Sequence, residues 1–91
     1  MKNRTTRKKY VEVAAAFTED ARLRPLWVEW EDGRRFPVDR ITDCRRAASL
    51  GGGGTGIRYT CIIGGIRHYL FYEENYRWFV EEKVGQPLSS D

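Results

Sequence analysis

The chain has 91 residues, of which 41% are hydrophobic and 13% aromatic, enough for one domain that buries a modest core without disulfides. Its formal charge is +3, but Lys2, Arg4, Arg7, Lys8 and Lys9 contribute +5 before the first acid, so residues 10–91 sum to −2 and the net basicity belongs to the amino-terminal segment. No apolar run is long enough to cross a bilayer and the acids Glu12, Glu19 and Asp20 break any secretory pattern, which points to a cytoplasmic protein whose Cys44 and Cys61 stay as thiols.

Residues 1–9 read as a disordered basic tail, 10–82 as a single β domain with a flexible glycine loop at 51–56, and 83–91 as a disordered carboxy-terminal tail. Along Tyr10 to Phe17, Val11, Val13, Ala15 and Phe17 fall on one side at strand spacing, although the alanines also suit a helix. Leu26 to Trp30 and Arg34 to Val38 flank Glu31-Asp32-Gly33. A three-residue loop with Gly33 in the left-handed region places Leu26, Val28, Trp30, Phe36 and Val38 on one side and sets Glu29 against Arg35. Pro37 lacks a donor, which assigns its strand to an edge or a bulge. Residues 39–50 continue as a strand to about Arg46, or form a short helix near 42–50 that stops at Gly51.

The run Gly51 to Gly56 fails as a phosphate loop, because no Gly-Lys-Ser/Thr follows and the next element is a strand. It remains either a plain link or a loop between Arg45, Arg46 and Arg58 that closes on an anion.

Gly64-Gly65 is the clearest local signal, a two-residue hairpin turn between Ile57–Ile63 and Ile66–Tyr72. It pairs Ile63 with Ile66, Cys61 with His68, Tyr59 with Leu70 and Ile57 with Tyr72 on one apolar face. The opposite face mixes arginine with rings: Arg58, Thr60 and Ile62 against Arg67, Tyr69 and Phe71. After Glu73-Glu74-Asn75, a last strand adds Tyr76, Trp78 and Val80 to the apolar face and Arg77 and Phe79 to the mixed one. Six strands at short intervals imply an all-β, mainly antiparallel protein, a small barrel or a strongly curved sheet.

Parts for catalysis are scarce. His68 opposite Cys61 allows a Cys-His dyad to be drawn, but with no orienting acid in view the pair reads as a core histidine beside a buried thiol. Cys44, Cys61 and His68 fall one ligand short of a closed zinc site, and no cofactor or metal is expected. The mixed face is what a sheet needs to stack bases and hold phosphates, and it is equally what a covered core face with arginines at its rim would show.

The segments Trp30 to Ile41, Gly56 to Thr60, Tyr69 to Glu73 and Arg77 to Val80 resemble a group of small uncharacterised bacterial proteins with a tryptophan and Gly-Arg turn, a tyrosine-rich hairpin and a closing Trp-Phe strand. The resemblance implies a shared β fold and a bacterial source. It carries no activity to any residue of this chain.

The sequence therefore points to a protein that acts by binding. The leading expectation is a nucleic acid or other polyanion held by Lys8, Lys9, Arg45, Arg46, Arg58, Arg67 and Arg77, with Tyr69 and Phe71 as stacking platforms. The alternative is a protein-interaction module or small regulatory subunit that offers a sheet edge or an apolar patch.

Overall fold

Gly64 and Gly65 take φ values of 59° and 81°, the left-handed pair that a tight hairpin turn requires and that a side chain would disfavour. In the computed structural model, which describes residues 5–48 and 55–84, this turn joins two of seven strands. They are β1 (Thr5–Phe17), β2 (Leu23–Glu29), β3 (Arg35–Pro37), β4 (Arg40–Ala48), β5 (Thr55–Ile63), β6 (Ile66–Tyr72) and β7 (Trp78–Val84). All pairings are antiparallel, in the order β3-β2-β1-β7-β6-β5-β4, and no helix occurs among the described residues.

Both hairpin registers agree with the sequence. Ile63 pairs with Ile66, Cys61 with His68, Tyr59 with Leu70 and Ile57 with Tyr72. Gly33 has φ 88°, Glu29 pairs with Arg35, and β3 with Pro37 is an edge strand. Residues 40–48 are a strand, so the alternative helix near 42–50 does not form there. The corner at Val38-Asp39 separates β3 from β4, which raises the strand count to seven.

That corner also sets the curvature. β3 and β4 lie at opposite ends of the sheet order, yet only two residues separate them in the chain. Val38 N–H donates to the Leu26 carbonyl at 2.9 Å and Asp39 N–H to the Ile62 carbonyl at 2.8 Å, so adjacent residues tie β2 to β5. The sheet must curl into a half-barrel for both bonds to form. Its concave side holds Val28, Tyr59, Cys61, Leu70 and Trp78, with Val11, Val13, Leu23, Ile41 and Ile57 packed around them.

Three expectations are corrected. Strand β1 begins at Thr5, so Arg7, Lys8 and Lys9 belong to the sheet and pair with Glu82, Glu81 and Val80 of β7 instead of forming a tail; residues 1–4 lie outside the described residues. Strand β7 begins at Trp78 and extends to Val84, so Lys83 and Val84 belong to it, while the rest of the expected carboxy-terminal tail and residues 51–54 of the glycine loop lie outside the described residues. Tyr76, expected inside, sits in the β6–β7 turn with φ 68° and is 90% exposed. A bond from Glu73 N–H to the Arg77 carbonyl closes that turn early and leaves Tyr76 outside the strand alternation.

The Tyr59 hydroxyl donates to the Leu23 carbonyl at 2.5 Å, a bond across the concave side from β5 to β2. Tyr59→Phe keeps the ring and removes this tie. It is expected to lower stability by about 1–2 kcal/mol, seen as a lower urea midpoint with an unchanged slope; an unaltered midpoint would show that the tie contributes nothing.

Candidate functional site

On the convex side, neighbouring strands place Arg45, Arg58, Phe71, Phe79 and Tyr10 in one lateral row. Phe71 and Phe79 stack with centroids 4.9 Å apart and planes 3° apart, and Tyr10 meets Phe79 edge-on at 5.9 Å. Both phenylalanines are 2% exposed. This corrects the expectation that Phe71 offers a stacking platform: its ring already has a partner and shows almost no surface to solvent.

Lys8 lies over Phe79 at 4.9 Å and is ion-paired with Glu73. The Tyr10 hydroxyl donates to Glu73 at 2.9 Å and Asn75 Nδ2 donates at 3.3 Å, so three donors converge on one carboxylate. The hydrogen bond from Lys8 holds the Glu73 carboxyl below its ordinary range, and the same bond raises the Lys8 ammonium. Arg77 stacks on the other component of this cluster, 3.5 Å from the Tyr10 centroid.

The remaining basic residues of the expected site divide in two. Arg45 pairs with Asp43 at 2.8 Å, Arg46 makes a two-pronged pair with Glu74 at 2.7 and 3.1 Å, and Lys9 pairs with Glu31 at 2.7 Å beneath Trp30. Lys9 and Arg46 also belong to rows that face the concave side, through Val80 and Ile57, so they do not join the convex set. Arg58 and Arg67 form no close ion pair with a carboxylate among the described residues, although the Arg58 charge helps Arg45 to lower the Asp43 carboxyl, and they lie over the Tyr69 ring at 4.6 and 5.9 Å. Arg58 Nε is buried with no hydrogen-bond partner, and Tyr69 is 42% exposed. The structure thus brings Arg58, Arg67 and Tyr69 together and engages Lys8, Lys9, Arg45 and Arg46 in internal pairs.

His68 pairs in register with Cys61 but is exposed, which corrects its assignment to the core. At that point β6 is paired with β5 but has no ladder partner in β7 among the described residues. Cys61 is fully buried and its thiol is pushed up to about 11 by burial, so it stays protonated at neutral pH. Among the described residues, no group of three or more His, Cys, Asp or Glu is placed to hold a metal ion.

The feature that sequence reasoning missed is a gap between β6 and β7. Among the described residues their ladder has two pairs, Phe71 with Phe79 and Tyr72 with Trp78, although each strand is seven residues long. Beyond Phe71 the strands part around a groove of about 810 Å³ lined by Val28, Trp30, Phe36, Ile63, Leu70 and Val80, with Arg67, His68 and Tyr69 along one wall. Hairpin geometry specifies which backbone groups face it. The closing pair of a two-residue turn exchanges both hydrogen bonds, so Ile66, His68 and Leu70 turn their N–H and C=O toward β5. Arg67 and Tyr69 turn theirs toward the groove. Ile66, expected on the apolar face, is 63% exposed at this open end of the groove, which corrects that expectation.

Comparison with protein-family models, curated proteins and solved structures finds no match. The resemblance to small bacterial proteins therefore rests on the quoted segments alone.

Glu73 supplies a pH test. Because its folded pKa is lowered, its contribution to stability is complete at neutral pH, declines once pH falls below the unfolded value of about 4.3, and vanishes below the folded value. Glu73→Gln should melt below the native chain at pH 7, and the difference should shrink as pH is lowered to 3. A difference that is constant with pH would exclude the ionised carboxylate as its source.

Proposed function

We propose that the protein acts by binding, as an interaction module that takes an extended protein segment into the gap between β6 and β7. The observation that carries this reading is the coincidence of a strand edge that has no ladder partner among the described residues with an apolar groove. Backbone donors and acceptors of Arg67 and Tyr69 supply a ladder, and Val28, Phe36, Leu70 and Val80 supply the surface that alternate side chains of a guest strand would cover. Grooves of this size that are mostly apolar with a few polar groups at the rim are the usual form of a binding site.

Random decapeptides displayed on phage and selected on the immobilised full chain test this. Selected peptides should alternate apolar residues, protect the Arg67 and Tyr69 amides from hydrogen exchange, and lose binding to Tyr69→Pro, which removes a donor facing the groove and none facing β5. Recovery of no binders, or binders that leave those amides unprotected, would refute the reading.

A second reading, polyanion binding, is favoured by one observation: Arg58 and Arg67 flank the exposed Tyr69 ring and form no close ion pair among the described residues. Stacking a base on such a ring is worth roughly 1–3 kcal/mol. Lys8, Lys9, Arg45 and Arg46 would have to leave existing ion pairs to take part, and Arg77 its place on the Tyr10 ring. A single-stranded oligonucleotide should then bind more weakly as salt rises, and Arg58→Ala with Arg67→Ala should abolish the salt dependence. Binding indifferent to both would remove this reading.

A further inference from the structure

Resting on the segment-binding reading above, we infer that the preferred guest is an acidic strand: apolar at the positions that enter the groove and carrying a carboxylate at the outward position beside Arg67. The two walls fix the geometry. β6 and β7 are antiparallel, so a strand lying between them runs antiparallel to one and parallel to the other, and its residues share faces with those of both walls. Positions level with Leu70 and Val80 point into the apolar groove. Positions level with Arg67 and Tyr69 point to the convex side, where Arg67, Tyr69 and Arg58 form a cationic and aromatic border.

Counting outward from the Phe71–Phe79 pair, Tyr69 is level with Glu81 and Arg67 with Lys83. An outward side chain at the second of these levels lies beside Arg67, whereas one at the first lies beside the Tyr69 ring. The carboxylate is therefore favoured at the mouth of the gap, near the hairpin tip, and not at its closed end. Arg67 is exposed and pairs with no acid among the described residues, so a guest carboxylate displaces no internal partner. Arg45 and Arg46 differ in that respect, because Asp43 and Glu74 already hold them.

The test uses three acetylated decapeptides that alternate valine with glutamate, with threonine or with lysine, titrated into the full chain and into Arg67→Glu. The glutamate peptide is expected to bind the native chain about tenfold more tightly than the lysine peptide, and Arg67→Glu to reverse that order. Equal affinity for the glutamate and lysine peptides, with Arg67 and Tyr69 amides protected, overturns the charge preference and leaves segment binding standing. Failure of all three peptides to bind or to protect those amides overturns segment binding itself, and this inference with it.

Discussion

The structure depends on one covalent constraint: the two outermost strands of a seven-stranded sheet are consecutive in the chain, joined at Val38-Asp39. A flat sheet of this order would separate its edges by six interstrand spacings of about 4.8 Å each, far beyond the reach of a two-residue link. Curling is therefore obligatory. The bonds from Val38 to Leu26 and from Asp39 to Ile62 fix how far it proceeds, and the Tyr59 to Leu23 bond repeats the tie one layer deeper. Two bulges, at Leu26 in β2 and Thr42 in β4, fall on the strands that flank the corner, where extra twist is required.

Such a curl fills the concave side with one layer of large side chains and leaves the two ends open. It also loads the ladder nearest the middle of the order. Strand β1 is long enough to serve two partners, β7 along its first half and β2 along its second, so β7 follows β1. Strand β6 follows β5 through the tight hairpin. Each is committed to a different neighbour, and between them the sheet opens. What prevents complete separation is local: the stacked Phe71 and Phe79 on one face, Tyr72 against Trp78 at 4.9 Å on the other, and the bond that closes the Glu73 to Arg77 turn. Aromatic pairs contribute about 0.5–1.5 kcal/mol beyond their burial, which suits them to hold a short seam.

The parts of this arrangement written in neighbouring residues were legible. Gly64-Gly65 and Gly33 set two hairpin registers, Pro37 marked an edge, and alternation along Ile57–Tyr72 sorted the faces. What depended on distant pairing was not. The basic residues Arg7 to Lys9 look like a tail until β7 is known to present Glu82 and Glu81 beside them. Arg46 looks available until the turn brings Glu74 to it, and Lys8 until Glu73 and Tyr10 converge on the same place. His68 has the spacing of a core residue, and its exposure follows only from the divergence of β6 from β7, which no local pattern encodes. Basic residues counted along a sequence therefore overstate the charge available to a ligand, since pairing across strands is decided by topology.

Unpaired strand edges are hazardous, and the contrast among the edges of this sheet is informative. The outer edge at β3 is three residues long and carries Pro37, which cannot donate. The outer edge at β4 bears Arg40, Arg45 and Arg46 and is distorted by the bulge at Thr42. Both are blunted in the ways by which β proteins avoid indiscriminate pairing. The inner edge of β6 has neither proline nor bulge; its Arg67 and Tyr69 are regular ladder positions beside an apolar groove. Its protection is positional, because a guest must enter between two strands and not merely lie alongside one. A chain that resists pairing at both exposed edges while leaving a regular edge inside a cleft restricts pairing to segments that also match the cleft, and that selectivity separates recognition from aggregation.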